Sequence, residues 1–297
     1  MFSIMKHYPK FMALSGLIIV IGIVMFVACG GFVTDIDFAG GTMIKLDMGK
    51  EFDVNELEKV VKDTTGATPT VQTSLDANNY EATIKVTNLD AEQRTKLLSA
   101  IEEKFGLTGE FMLANETITP LVSSEIIYNA LLAIVIASVL ILIYIAIRFA
   151  FAPALAAIIS LVNSVLIMIA YYAIFRQPVN ASFIAALLTI IGYAINDTIV
   201  TFDRIRENKR FAKKETFKEI CDKSIKQTLS RTINTSLTTL FVLIVLAIFG
   251  ESTIRAFVIP LIVGVIAGTY SSIFVATPMW YLIDGGRGDT VNRKKKA

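Results

Sequence analysis

Residues 181–202 read ASFIAALLTIIGYAINDTIVTF, a stretch with one carboxylate, Asp197, and no cation. A hydrocarbon core about 30 Å thick takes roughly 20 apolar residues in a helix. The stretch is therefore long and apolar enough to span a bilayer, with its carboxylate inside. Five further stretches match it: Phe11 to Cys29, Ile126 to Ile147, Pro153 to Phe175, Thr232 to Phe249 and Ala256 to Leu282. Pro153 opens its span because proline is tolerated in a helix's first turn. The composition agrees, with 54% hydrophobic and 18% charged residues in 297. That balance excludes an ordinary water-soluble domain and a disordered, collagen-like or disulfide-stapled chain. The expected fold class is a polytopic α-helical membrane protein with six transmembrane helices.

Charge sets the expected orientation, since Lys and Arg gather on the cytoplasmic side. Residues 203–231 hold ten basic side chains against five acidic ones. Lys6, Lys10, Arg148 and the Arg293-Lys294-Lys295-Lys296 tail fall on the same side when six spans are counted. Both termini are then cytoplasmic. Residues 30–124 lie outside with eight basic and sixteen acidic residues. The expected division is a cytoplasmic N-terminus (1–10), the first span (11–29), an extracytoplasmic domain (30–124), helices two to six (125–283) with a cytoplasmic loop at 203–231, and a basic cytoplasmic tail (284–297). Cys29 and Cys221 lie on opposite sides of the membrane and cannot pair. Neither has a metal-ligand neighbour, so no metal or cofactor is expected. A net charge of +2 points to no nucleic-acid partner.

Residues 30–124 are long enough for one small core. Gly41 to Met48 alternates as a strand. Asp53 caps a helix that fades at Thr64-Thr65-Gly66, and Asp90 caps a second through Phe105, stopped by Gly106. Pro69 to Ser74 and Tyr80 to Thr87 read as strands around the turn signal Asp76-Ala77-Asn78-Asn79, and Glu110 to Leu113 as a closing strand. The order β-α-β-β-α-β is the ferredoxin-like split βαβ arrangement, a fold that identifies no function by itself. The domain carries no His, no Cys pair and no glycine-rich phosphate loop.

An ionisable residue inside a membrane span is costly and marks a functional position by default. Asp197 lies six residues before Asp203, roughly 9 Å inside the boundary at 1.5 Å per residue. Thr189, Tyr193, Asp197 and Thr201 follow four-residue spacing with Gly192 and Asn196 beside them, forming one polar stripe. Arg231, Thr235, Thr238 and Thr239 share a face of the next span, so Arg231 is the expected counter-charge. A merely structural Asp197, held by neighbouring hydroxyls, is the competing reading, as is Arg231 as a positive-inside anchor. Gly264 and Gly268 stand at the spacing that lets helices approach closely, and packing is their expected role. With no other acid deep in a span, a complete proton path calls for a second membrane subunit.

Three segments resemble a known family. Asp35-Ile36-Asp37-Phe38-Ala39-Gly40-Gly41-Thr42 is similar to a motif that follows the first span of SecD/SecF proteins. Gly192-Tyr193-Ala194-Ile195-Asn196-Asp197-Thr198-Ile199-Val200, followed by Phe202-Asp203-Arg204-Ile205-Arg206-Glu207-Asn208, resembles the family's fourth-span motif. Ser230-Arg231-Thr232-Ile233-Asn234-Thr235-Ser236 resembles its fifth-span motif. The size and the small outer domain suit the SecF side of that family rather than the SecD side.

The resemblance implies a non-enzymatic subunit of the SecDF complex, within the RND superfamily. It implies that the chain works with SecD and the SecYEG channel, with YajC as a further partner, and uses the proton motive force to assist export of unfolded polypeptide across the bacterial cytoplasmic membrane. It also implies proton passage through Asp197 and Arg231, with Asn196, Thr198, Thr201 and Thr235 around them. Asp37, Phe38, Gly40, Gly41, Gly192, Asp203 and Arg204 are the remaining motif positions. Two departures stand out: Ala39 replaces the usual Thr, and Asn163-Ser164 stands where many relatives carry His-Asp. The alternative function is an RND-like, proton-driven exporter of small molecules or lipids.

Overall fold

The computed structural model describes residues 3–284 apart from 68, 77–78, 87–88, 108, 110, 213–214 and 251. The first apolar helix, α1 (Ile4–Ala28), leads into a four-residue turn of helix, α2 (Ile36–Ala39). The domain between the first two spans, called the outer domain only because it lies outside the apolar helix layer, follows as β1 (Gly41–Asp47), α3 (Val54–Thr65), β2 (Thr70–Asp76), β3 (Asn79–Val86), α4 (Ala91–Phe105) and β4 (Met112–Ile118). The chain then re-enters the apolar layer as α5 (Pro120–Arg148), α6 (Phe151–Phe175), α7 (Ala181–Phe211) and α8 (Phe217–Phe249). The last span is α9 (Ser252–Ser271), a π-helical turn at Ser272–Ala276, and α10 (Thr277–Ile283). Six long apolar helices make this a multi-pass membrane protein.

The outer sheet has the order β2-β3-β1-β4 with every neighbouring pair antiparallel. Ile44 and Leu46 of β1 and Ile84 of β3 point to one face, which Leu57 and Val61 of α3 and Leu97 and Ile101 of α4 cover. Both helices begin and end as the sequence dictates. Asp53 accepts the Asn55 amide, Asp90 and Gln93 form a reciprocal capping box, and Gly66 and Gly106 close the helices in left-handed conformation. The closing strand runs Met112–Ile118 rather than Glu110 to Leu113. Its polar Asn115, Glu116 and Thr117 are exposed on an edge, so pairing with β1 builds it where hydrophobic alternation gives no signal. Glu110, Thr87 and the Ala77-Asn78 centre of the expected turn lie outside the described residues, as does the tail beyond Asp284.

The expected cytoplasmic loop at 203–231 is instead helical through Phe211 and again from Phe217. Arg, Lys, Glu and Gln favour helix once water surrounds them. Thr216 and Glu219 form the capping box that starts α8. The two extensions clasp each other: Arg204 Nε donates to Gln227 Oε1 at 2.8 Å, and Asn208 Nδ2 donates to Ser224 Oγ at 2.7 Å. Phe202 and Phe217 both pack on Trp280 of α10. Lys213 and Lys214, counted above as cytoplasmic charge, lie outside the described residues.

Within the apolar layer α9 is central, packing on α6, α7 and α8. On the other side α1 packs on α6 and the π turn, whereas α5 touches α7, α6 and α2 from the periphery. Leu131, Val135, Leu140 and Ile147 of α5 stay exposed, as lipid-facing side chains do. Gly22 permits the α1–α6 contact, because a Cβ there would lie 2.4 Å from Ala170 Cβ.

Candidate functional site

The outer domain and the membrane layer meet at the segment preceding β1. Asp35 accepts the Ile36 amide at 2.8 Å and caps α2. Its other oxygen accepts from Lys85 Nζ of β3 at 2.6 Å and from Asn180 Nδ2 at 3.5 Å. Both charged side chains are largely buried, at 4% exposure for Asp35 and 13% for Lys85. Asn180 in turn caps α7 by accepting the Phe183 amide, and Asp37 Oδ2 accepts the Ala181 amide at 2.9 Å. Backbone bonds complete the joint: Asp35 N donates to Val179 O, and Val179 N donates to Val33 O. Gly40 ends α2 at φ 74°, which a side chain would strain, and Gly41 then starts β1. Phe38 is half-buried beside them. The first motif is thus a joint between the outer sheet and the start of α7.

Sixteen residues along α7 from that joint lies Asp197, which is 6% exposed. Its neighbours bond elsewhere. The Thr198 hydroxyl lies 2.9 Å from Ser272 Oγ, and Ser272 also donates to the Ala194 carbonyl. The Thr201 hydroxyl lies 3.3 Å from that of Thr228 on α8. Among the described residues, no side-chain hydrogen bond or ion pair within 4 Å reaches Asp197.

The expected polar stripe does not stay on one face. Four-residue spacing advances about 40° per step at 3.6 residues per turn, so it winds around the helix. Thr189 is exposed, Tyr193 half-buried, and Asp197 and Thr201 buried, while Gly192 and Asn196 remain exposed. The Tyr193 hydroxyl reaches Thr239 Oγ1 at 3.3 Å.

Arg231 is exposed, and it forms no ion pair with Asp197 within 4 Å although its charge acts there through space. Asn234, Thr235 and Thr238 are exposed beside it, so this face of α8 points out of the bundle. Thr235 bonds back to the carbonyls of its own helix at Arg231 and Thr232. The result is a polar surface on α7 and α8 at bilayer depth, close to a buried acid.

The remaining motif residues lie further along α7. Asp203 pairs with Arg148 of α5 and Arg206, and Arg204 reaches Glu207 as well as Gln227. Gly264 and Gly268 face α7: a Cβ at Gly264 would lie 2.3 Å from Ile190 Cγ1, and one at Gly268 3.0 Å from Ala194 Cβ. Asn163 Nδ2 donates to Ser271 Oγ at 2.8 Å, and Ser164, 0% exposed, bonds to the Ser160 carbonyl. Both positions therefore tie α6 internally or to α9.

Residues 102–285 match the family described as protein export membrane protein SecD/SecF, C-terminal. The chain belongs to the SecD/SecF family. The protein translocase subunit SecF of Sebaldella termitidis is 38% identical over 255 residues, covering 85% of this chain and 82% of that one. The protein translocase subunit SecDF of Bacillus subtilis is 39% identical over 248 residues, covering 82% of this chain and 33% of that one. The crystal structure of SecDF from Thermus thermophilus superposes with a TM-score of 0.81 at 33% identity, over 94% of this chain and 38% of that longer chain. The chain thus matches nearly the whole of a SecF subunit and about a third of a fused SecDF.

Two features escaped the sequence. Asp35 and Lys85 are 50 positions apart, and neither spacing nor hydropathy links them. The π turn at Ser272–Ala276, which brings Ser272 against Thr198, has no composition of its own.

Proposed function

We propose that the chain is an accessory subunit of Sec-dependent protein translocation that passes protons through Asp197 against a SecD partner. The observation that carries this reading is a buried carboxylate without a side-chain partner among the described residues, lying next to an exposed polar face of α7 and α8. An acid held in that way is costly unless a proton, or a group from another subunit, comes to it. Arg231, Asn196, Asn234, Thr235 and Thr238 face outward, as residues do that wait for a second membrane protein. SecD is that subunit in our reading, with the SecYEG channel and YajC as further partners and an unfolded polypeptide as cargo.

The same reading places the chain in a bacterial cytoplasmic membrane, with both termini in the cytoplasm and residues 30–124 outside. The outer domain is then a ferredoxin-like module, which the strand order supports. Proton coupling is tested with Asp197→Asn, whose amide keeps the shape but cannot change charge. Gradient-dependent stimulation of translocation into membrane vesicles is expected to vanish, with membrane insertion and SecD co-purification retained. Arg231→Lys is expected to restore only part of what Arg231→Ala loses, since lysine keeps the charge without the planar fork. Full stimulation by the Asp197→Asn protein would sink the carrier role.

A further inference from the structure

A cavity of about 360 Å³ opens at the outer membrane border, between β2 and the outer ends of α6 and α9. It lies away from Asp197 and from the polar face of α7 and α8. One wall is polar, with Thr70 and Gln72 from β2 and Gln177 from the α6–α7 connection. The opposite wall is apolar, with Tyr172 and the lipid-facing Ile259. Between the walls sits Arg255, directly before the apolar run that starts at Ala256. Its Nη2 donates to the Ile248 carbonyl at 3.0 Å, while its Nε is buried without a hydrogen-bond partner. Among the described residues lining the cavity, none is acidic. A buried donor left unpaired costs about 1–3 kcal/mol, and more on a charged group, so this nitrogen calls for an acceptor that the described residues do not provide.

The acceptor's chemistry follows from the walls. A guanidinium offering Nε matches a phosphate oxygen, neutral hydroxyl and amide groups suit the polar remainder of a headgroup, and the apolar wall suits the chain attachment below it. The cavity is lined by the end of one apolar span and the start of another, which is the level of headgroups in a bilayer, and the exposed Ile259 borders it. We propose that this cavity binds one phospholipid by its phosphodiester, with Arg255 on the phosphate and Gln72 and Gln177 on the headgroup. The lipid fills the seam between the outer sheet and the membrane helices.

The test is native mass spectrometry of the full chain in detergent micelles titrated with phosphatidylglycerol, with inorganic phosphate and diacylglycerol as separate arms. The intact protein is expected to retain one phosphatidylglycerol, and Arg255→Gln to lower its apparent affinity about tenfold. Arg255→Lys is expected to fall between, because a point charge satisfies the phosphate without the fork. Gln72→Leu, a change on the edge strand β2, is expected to weaken retention while leaving the unfolding midpoint close to that of the wild type, which keeps the proposal open to refutation if Arg255→Gln does not fold. Equal retention by all variants overturns it. So does inorganic phosphate displacing the lipid at micromolar concentration, which assigns the site to a free anion, or diacylglycerol binding as tightly, which assigns it to the apolar wall alone.

Discussion

Replacing Asp35 by Asn isolates the joint between the outer domain and α7. The change removes a carboxylate that is 4% exposed and leaves the Lys85 ammonium, 13% exposed, without its counter-charge. Removing one partner of a buried ion pair costs about 3–5 kcal/mol. The amide oxygen still accepts from Ile36, so the cap of α2 survives and the low end of that range applies. A loss of about 3 kcal/mol raises the local opening constant roughly a hundredfold. Hydrogen exchange of the full chain in lipid nanodiscs reads that number at the amides of Asp35, Val179 and Ala181, whose bonds cross the joint. Each is expected to exchange about a hundredfold faster in Asp35→Asn, with the amides of α4 unchanged. Adding Lys85→Met is expected to recover most of the protection, because it removes the buried ammonium that Asp35→Asn leaves without a counter-charge. Wild-type exchange in Asp35→Asn, or a second substitution that adds to the loss rather than offsetting it, would refute the pairing as the source of the joint's strength.

Gly22→Ala is expected to destabilise the protein by about 1–3 kcal/mol through overpacking, because the new Cβ meets Ala170 backbone at 2.6 Å. Gly192→Ala meets nothing within 4 Å and is expected to leave the isolated chain's unfolding midpoint unchanged, so equal losses in the two variants would contradict the packing described here. Burial works against the charge of Asp222, yet Lys226 and the Met5 amide outweigh it and hold its pKa below the ordinary 3.8. A depressed carboxylate pKa stabilises above the unfolded value, so docking of the α1 start on α8 is expected to hold at pH 5 and to loosen as pH falls below 3.8. Exchange of the Met5 amide measures this, and in Asp222→Asn, whose amide oxygen still accepts from Met5, its protection is expected to be insensitive to that pH range. Single cysteines at Asn115 and Lys209, in a background lacking Cys29 and Cys221, are expected to react with an impermeant reagent from opposite sides of the membrane; reaction of both from outside would overturn the six-span orientation.

Local signals were legible in the sequence wherever one residue decides one bond. Asp53, Asp90, Gly66 and Gly106 bound the outer helices because caps act over three or four positions. The six spans were legible because water excludes long apolar runs from any other arrangement. What distance in sequence conceals was not. The Asp35–Lys85 pair forms only once β1 and β3 are neighbours. The outward turn of Arg231 depends on how α8 rolls against α9, which hydropathy does not specify in a helix exposed over most of its bilayer length. The helical extensions past Phe202 and before Thr232 escaped because charge marks the membrane boundary, whereas helix ends are marked by caps such as Thr216.

The length of α7 has a mechanical consequence. Its 31 residues make an uninterrupted rod of about 46 Å, gripped at its first turn by Asp37 and Asn180. A tilt of about 5° at that pivot displaces the far end by roughly 4 Å and the level of Asp197, about 24 Å along, by roughly 2 Å at 1.5 Å of rise per residue. Two ångströms is the difference between a hydrogen bond made and one broken. A stiff beam clamped to the outer sheet thus has enough reach to turn a small pivot at one membrane face into the making or breaking of a single contact deep inside, without any helix having to bend.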